Sequence, residues 1–278
     1  MEQRRGTGPR PLVPAEMRRL AVALLTVCIA ITVLLGVLFA HHTRPGTLDA
    51  AVDARVQADL GGHPALLSQL AGLGDRFPVA VMATVLFLGC LVMRRWRGAV
   101  LVAVAVPVAN VLAEHILKPL VGRTLTSGAL SFPSGHETRV FAVAAALAVL
   151  FAEPLRAYVP AVLRLLLASA VLVAVAAVAV ALVGEGAHYF TDTVGGAAVG
   201  TAVVLVTALA LDWLIALSRP AGSDYEGARS GPMADTDPAT PAEARASGAH
   251  RRRAGLPRLS PEVAAPRAGG NAAALCVY

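Results

Sequence analysis

The sequence predicts an all-α fold: an integral membrane bundle of six helices with an extracytoplasmic active site and disordered cytoplasmic tails. Three observations carry the prediction. Hydrophobic residues fill 56% of the 278 positions and charged residues only 15%, too apolar for a single soluble domain and typical of membrane chains. Six runs, at about 20–40, 77–93, 98–117, 138–152, 163–184 and 194–217, approach the ~20 residues that cross a bilayer. Basic residues fall in alternate connections: Arg4, Arg5, Arg10, Arg18 and Arg19 before the first run, Arg94, Arg95 and Arg97 after the second, Arg156 and Arg164 about the fourth connection, and Arg219 after the sixth. Such connections are expected to be cytoplasmic, with both termini inside a multi-pass chain of the cell membrane. A net charge of +6 spread in this way fits membrane lipids as partners rather than nucleic acid.

Residues 1–19 carry Gly, Pro and arginines without an apolar period, and are expected to form a disordered basic cytoplasmic arm near anionic headgroups. The first run is longer than the apolar stretch of a usual signal peptide, so an uncleaved span is expected. The membrane domain then covers 20–217. Between its first two runs Leu48, Val52, Val56 and Leu60 recur at helical spacing, with Asp49, Asp53 and Asp59 among them. That pattern predicts an amphipathic outer helix, either a cap over the bundle or one wall of a substrate entrance. Gly61, Gly62 and Pro64 end it.

The third run contains Pro107 and Asn110, with Glu114 and His115 near its outer end. Polar groups at such depth are costly and are expected to face the bundle interior or the interface, Asn110 in a helix–helix hydrogen bond and Glu114 and His115 in support of the neighbouring cations. Residues 218–278 are rich in Pro, Gly, Ala and Arg, include Arg251-Arg252-Arg253, and are expected to be a disordered cytoplasmic tail. Cys28 and Cys90 in spans and Cys276 in the tail form no disulfide framework, and Cys276 does not fit a prenylation signal.

The chemistry gathers in three segments that this topology brings to one membrane face. Lys118 and Arg123 bracket Pro119 and Gly122 and are suited to holding an anion, Arg by its planar fork and Lys as a mobile point charge. Phe132-Pro133-Ser134-Gly135-His136 forms a turn ahead of a helix, where Ser134 and the amides after it can donate to phosphate, Gly135 allows close approach and His136 can protonate a leaving oxygen. His188 and Asp192 stand four apart, on one helix face, so the carboxylate can fix the imidazole tautomer and leave the other nitrogen as a nucleophile. Ser134 as nucleophile lacks an elbow motif. A metal held by His136, His188 and Asp192 is opposed by the adjacent cations, so neither metal nor cofactor is expected.

Taken together, these segments resemble the type 2 phosphatidic acid phosphatase (lipid phosphate phosphatase) family over roughly residues 20–217. The resemblance implies metal-independent hydrolysis of a lipid phosphate monoester or pyrophosphate, of phosphatidate or isoprenyl type, at the outer face. It makes His188 the nucleophile that forms a phosphohistidine, Asp192 its orienter, His136 the general acid, and Lys118, Arg123, Ser134 and Gly135 the phosphate cradle. The family's Arg-Pro after the Lys falls here on Leu125-Thr126, and its Ser-Arg before the His falls on Ala181-Leu182. Arg123 either substitutes for the first or binds differently. Losing one charge-assisted contact of about 2 kcal/mol slows a reaction roughly thirtyfold, so a non-catalytic lipid-phosphate binder is the rival reading, and a phosphotransferase using the same site is a related one.

Overall fold

The computed structural model describes residues 11–218, and over residues 152–158 the backbone alone. Among the described residues the regular structure is entirely helical: α1 (Ala15–Leu38), α2 (Thr47–Leu60), α3 (Pro64–Gly72), α4 (Arg76–Val92), α5 (Trp96–Val111), a π-helical segment (Leu112–Leu117), α6 (Lys118–Val121), α7 (Gly135–Tyr158), α8 (Ala161–Gly184) and α9 (Phe190–Leu217). By length and composition four helices can cross a membrane: α1, the continuous Trp96–Val121 stretch, α8 and α9. The α3/α4 pair, bent by 43°, makes a fifth if it counts as one span. Six spans were expected; the 138–152 run lies in α7, whose first turns contain Glu137 and Arg139. The long apolar helices fit a multi-pass membrane protein. Residues 1–10 and 219–278, with Arg251–Arg253 and Cys276, lie outside the described residues.

Local sequence sets the boundaries. Pro14 and Pro160 immediately precede α1 and α8, where a fixed φ suits entry into a helix. Pro107 lies inside α5, and the π segment follows it; proline removes an i→i−4 bond, and π turns recur where a helix must re-aim its side chains. Gly122 ends α6 at φ 63°. A side chain there would also meet the His41 ring, whose Nδ1 lies 2.6 Å from the β-carbon position, so glycine serves both the turn and the packing.

The central contact is α7 against α9. A β-carbon on Gly196 would lie 2.5 Å from the Ser134 carbonyl oxygen, and one on Gly200 would lie 2.3 Å from that of Thr138. Two glycines a helical turn apart let the backbones meet, the small-residue packing that joins helices in lipid. Leu101, Val102, Ala105, Ala142 and Leu150 fill the core beside them, while Val37, Phe77, Val92 and Leu172 remain outward-facing, as lipid-facing positions do.

At one end of the bundle Asp212 of α9 accepts the amides of Leu12 and Val13 at 2.8 and 2.9 Å and pairs with Arg97. Residues 12–13 are therefore docked against the bundle, and Val13 is buried. Arg95 at this end donates to the Leu150 carbonyl at 2.7 Å. The ends of α6, α7 and α9 that carry the three sequence segments meet at the opposite end. Here α2 departs from a simple amphipathic helix. Its buried residues are Asp49 and Asp53, while Leu48 is 56% exposed, because the acids face the first turn of α9 and its unpaired amides.

Candidate active site

Free N–H groups at a helix start need acceptors, and α2 supplies them to α9. Asp49 Oδ1 accepts the Thr191 amide at 2.8 Å, Asp53 Oδ1 accepts the Phe190 amide at 3.1 Å, and Asp192 Oδ2 accepts the Tyr189 amide at 3.0 Å. Three carboxylates around one helix start require a cation, and Arg123 provides it. One η nitrogen donates to Asp192 Oδ1 at 2.6 Å and to the Thr191 hydroxyl at 2.7 Å, and the other pairs with Asp49. The guanidinium lies 3.9 Å from the centre of the Phe39 ring and 4.6 Å from that of Tyr189, an arrangement that adds cation–π attraction. Arg123, Asp49 and Asp192 are all fully buried. Burial pushes Asp53 up to about 6; the Phe190 amide opposes the rise, Asp49 and Asp192 add to it, and Arg123 opposes it.

The motif turn is tied to the same cluster. The Ser134 amide donates to the Asp192 carbonyl at 2.9 Å, and the Ser134 hydroxyl accepts the Glu137 amide at 3.4 Å, capping α7. His188 is buried, with Nδ1 3.9 Å from Asp192 Oδ2. That is beyond hydrogen-bond length, though catalytic contacts often tighten only around substrate. The His136 and His188 rings lie 6.3 Å apart, centre to centre. His136 Nε2 is 3.0 Å from Oδ1 of Asp75, in the turn between α3 and α4, and this pair is the solvent-facing part of the site, with the Asp75 side chain 60% exposed.

The remaining cations meet at Glu114. Lys118 Nζ lies 2.9 Å from its Oε2, and Arg139 Nη1 lies 3.6 Å from its Oε1. Arg139 also donates to the Gly74 carbonyl at 3.0 Å and to Asn110 Oδ1 at 3.1 Å, the latter being the helix–helix bond expected of Asn110. Arg76, Asn110 and Arg139 stand along a groove of about 420 Å³ between α4 and α5 that is walled, Thr84 apart, by apolar residues such as Val79, Phe87 and Val106.

Of the residues singled out in the sequence, His136, His188 and Asp192 thus converge. Lys118 and Gly135 meet through Glu114, while Arg123 and Ser134 are enclosed, the η nitrogens of Arg123 and the Ser134 hydroxyl turned to protein partners and Arg123 Nε left without one. Leu182 is 1% exposed, and its carbonyl receives the amides of Ala187 and His188 at 2.9 and 3.3 Å; Leu125 sits in the loop after α6. Sequence reasoning did not identify Asp75 or Arg139, or assign Asp49 and Asp53 to the site. The available signals were the four-residue spacing of Asp49 and Asp53 and the Arg one turn after His136.

Two histidines, a helix-borne carboxylate and several cations thus gather at one end of a helical membrane bundle. The chain belongs to the PAP2 superfamily, whose family model matches residues 19–216 and whose members are generally phosphatases. No curated protein and no solved structure matches it.

Proposed function

We propose that the chain is an integral-membrane lipid phosphatase acting through a phosphohistidine without a metal. The observation that carries the reading is the approach of His188 Nδ1 to 3.9 Å from Asp192 Oδ2 beside a second histidine, His136, whose ring lies 6.3 Å away. His188 Nε2 attacks phosphorus while Asp192 holds Nδ1. The phosphorus–oxygen bond to the lipid breaks, and the departing oxygen takes a proton from His136. With Nε2 of His136 bound to Asp75, Nδ1 is the nitrogen left to give that proton. Water, deprotonated by His136, then opens the phosphohistidine, releasing inorganic phosphate and restoring both imidazoles.

The substrate is a phosphate monoester or pyrophosphate of a phosphatidate or isoprenyl lipid, its chain suited to the apolar groove that ends at Arg76 and Arg139. Counting the bent α3/α4 pair and α7 with the four long apolar helices gives six spans. Basic residues Arg18, Arg19, Arg95 and Arg97 lie at the end opposite the histidines, which supports cytoplasmic termini and an extracytoplasmic site in the cell membrane. Burial of Leu182 where the family has Arg favours the rival, a non-catalytic lipid-phosphate binder. The deciding assay incubates purified protein with phosphatidate, isoprenyl phosphate and isoprenyl pyrophosphate in excess EDTA. Phosphate release that vanishes in His188→Ala supports catalysis; equal release from both proteins, or none from either, sinks it.

A further inference from the structure

We propose that Glu114 is an internal occupant of the phosphate cradle, a carboxylate that a substrate phosphate must displace, so that Glu114 determines which anions the site admits. The proposal rests on the phosphatase reading above. Its foundation is the approach of Glu114 to the motif glycine: a β-carbon at Gly135 would fall 1.7 Å from Oε1 and 2.8 Å from the carboxyl carbon. That separation is near a covalent bond length, so any side chain at 135 would evict Glu114. The space that glycine leaves free beside the turn, assigned from sequence to a phosphate, is filled by this carboxylate.

The cations answer the same group. Lys118 reaches one oxygen at 2.9 Å, and Arg139 lies 3.6 Å from the other. A carboxylate bridging two cations reproduces part of what a phosphate does with its oxygens. Arg139 keeps the Gly74 carbonyl and Asn110 as further partners, so it stays in position when Glu114 swings away. Glu114 itself stands in the π-helical segment Leu112–Leu117, a local geometry often found at functional sites.

The exchange has a charge requirement. Lys118 and Arg139 contribute two positive charges and Glu114 one negative. A monoanion replacing Glu114 restores the same balance and gains little, whereas a dianion neutralises both cations. Glu114 therefore sets a threshold that the dianions of phosphate monoesters and terminal phosphates of pyrophosphates pass and monoanionic phosphodiesters do not.

The test measures affinity of the purified full chain in detergent for inorganic phosphate and for dimethyl phosphate, a monoanion, by calorimetry. In Glu114→Gln, phosphate should bind roughly tenfold tighter, and dimethyl phosphate should gain by a similar factor, because both are relieved of the same competitor. The Lys118→Met change placed on top should reverse the gain. Glu114→Asp, whose shorter arm cannot span Lys118 and Gly135, should tighten phosphate binding severalfold and serves if the Gln variant fails to fold. Unchanged or weaker phosphate binding in folded Glu114 variants overturns this inference while leaving the phosphatase reading intact, as does a gain that survives Lys118→Met. Absence of phosphate binding in every protein, together with no lipid phosphate release in the EDTA assay, overturns both.

Discussion

Around Arg123 the guanidinium is held on several sides by partners inside the protein, whereas around Lys118 the partners are few and shared. The first cluster is closed: Asp49, Asp192 and Thr191 hold the guanidinium on one side, and Phe39 and Tyr189 cover its faces. The second is half open: Glu114 is divided between Lys118 and Arg139, and Asp75 reaches His136 from an exposed turn. A closed network in low dielectric fixes geometry, because breaking any member strands a charge. An open one can change partners at small cost, which a site that must receive and release an anion requires. In the proposed reading, Arg123 holds the His188–Asp192 segment in place and anion contact falls to Lys118 and Arg139.

The difference is sharpest in Arg123→Met. Removing the cation strands Asp49 and Asp192 in the interior and should cost about 3–5 kcal/mol, read as a large fall in the thermal midpoint in detergent. A midpoint within a degree or two of wild type would mean that the closed cluster is not structural. Next comes Gly200→Leu. Its side chain would meet the Thr138 carbonyl, Ala142 and Phe141, forcing α7 from α9, at about 1–3 kcal/mol of stability and with loss of activity through the displaced Ser134 turn. An unaltered midpoint and rate would show that the two helices can separate freely.

On the open side Asp75→Asn should lower kcat about tenfold, equivalent to about 1.4 kcal/mol of transition-state stabilisation, with the thermal midpoint unchanged; a drop in stability instead would move Asp75 to the structural class. Asp53 tests the rim of the closed cluster through pH. Its folded-state pKa stands above the unfolded one, at about 6, so its contribution to stability is fully present below the ordinary carboxylate range and is lost as pH rises through about 6. Wild type should therefore lose some stability over that window, and Asp53→Asn should lose less; identical slopes would contradict the assignment. The smallest effect belongs to Asp59→Ala. The Arg55–Asp59 pair on α2 has side chains 80% and 53% exposed, and its loss should change stability by under about 0.5 kcal/mol.

What the sequence made legible follows from local pattern. Apolar runs announce helices, the Pro-Ser-Gly-His turn announces a helix start, and four-residue spacing puts His188 and Asp192 on one face. What stayed hidden is which long-range partner each charge finds. Lys118 and Arg123 look equivalent as two cations in one segment, yet α2 arrives over one and the π-helical segment turns Glu114 toward the other. Asp49 and Asp53 read as the polar face of a surface helix because nothing nearby announces that the first amides of α9 need acceptors. The Gly196 and Gly200 pair was open to recognition as a helix-contact motif, and it explains why α7 and α9 share a site at all.

The docking of residues 12–13 on Asp212 bears on how the protein is made. Residues 12–13 are held by a carboxylate near the end of α9, the last of the described helices in the chain, and the same helix brings Asp192 and the two glycines that seat α7. A chain that ends at residue 189 has His188 without Asp192, an Arg123 missing one of its acids and residues 12–13 with nowhere to dock. Folding of α9 therefore both latches one end of the bundle, through Asp212, and completes the charge cluster at the other, through Asp192.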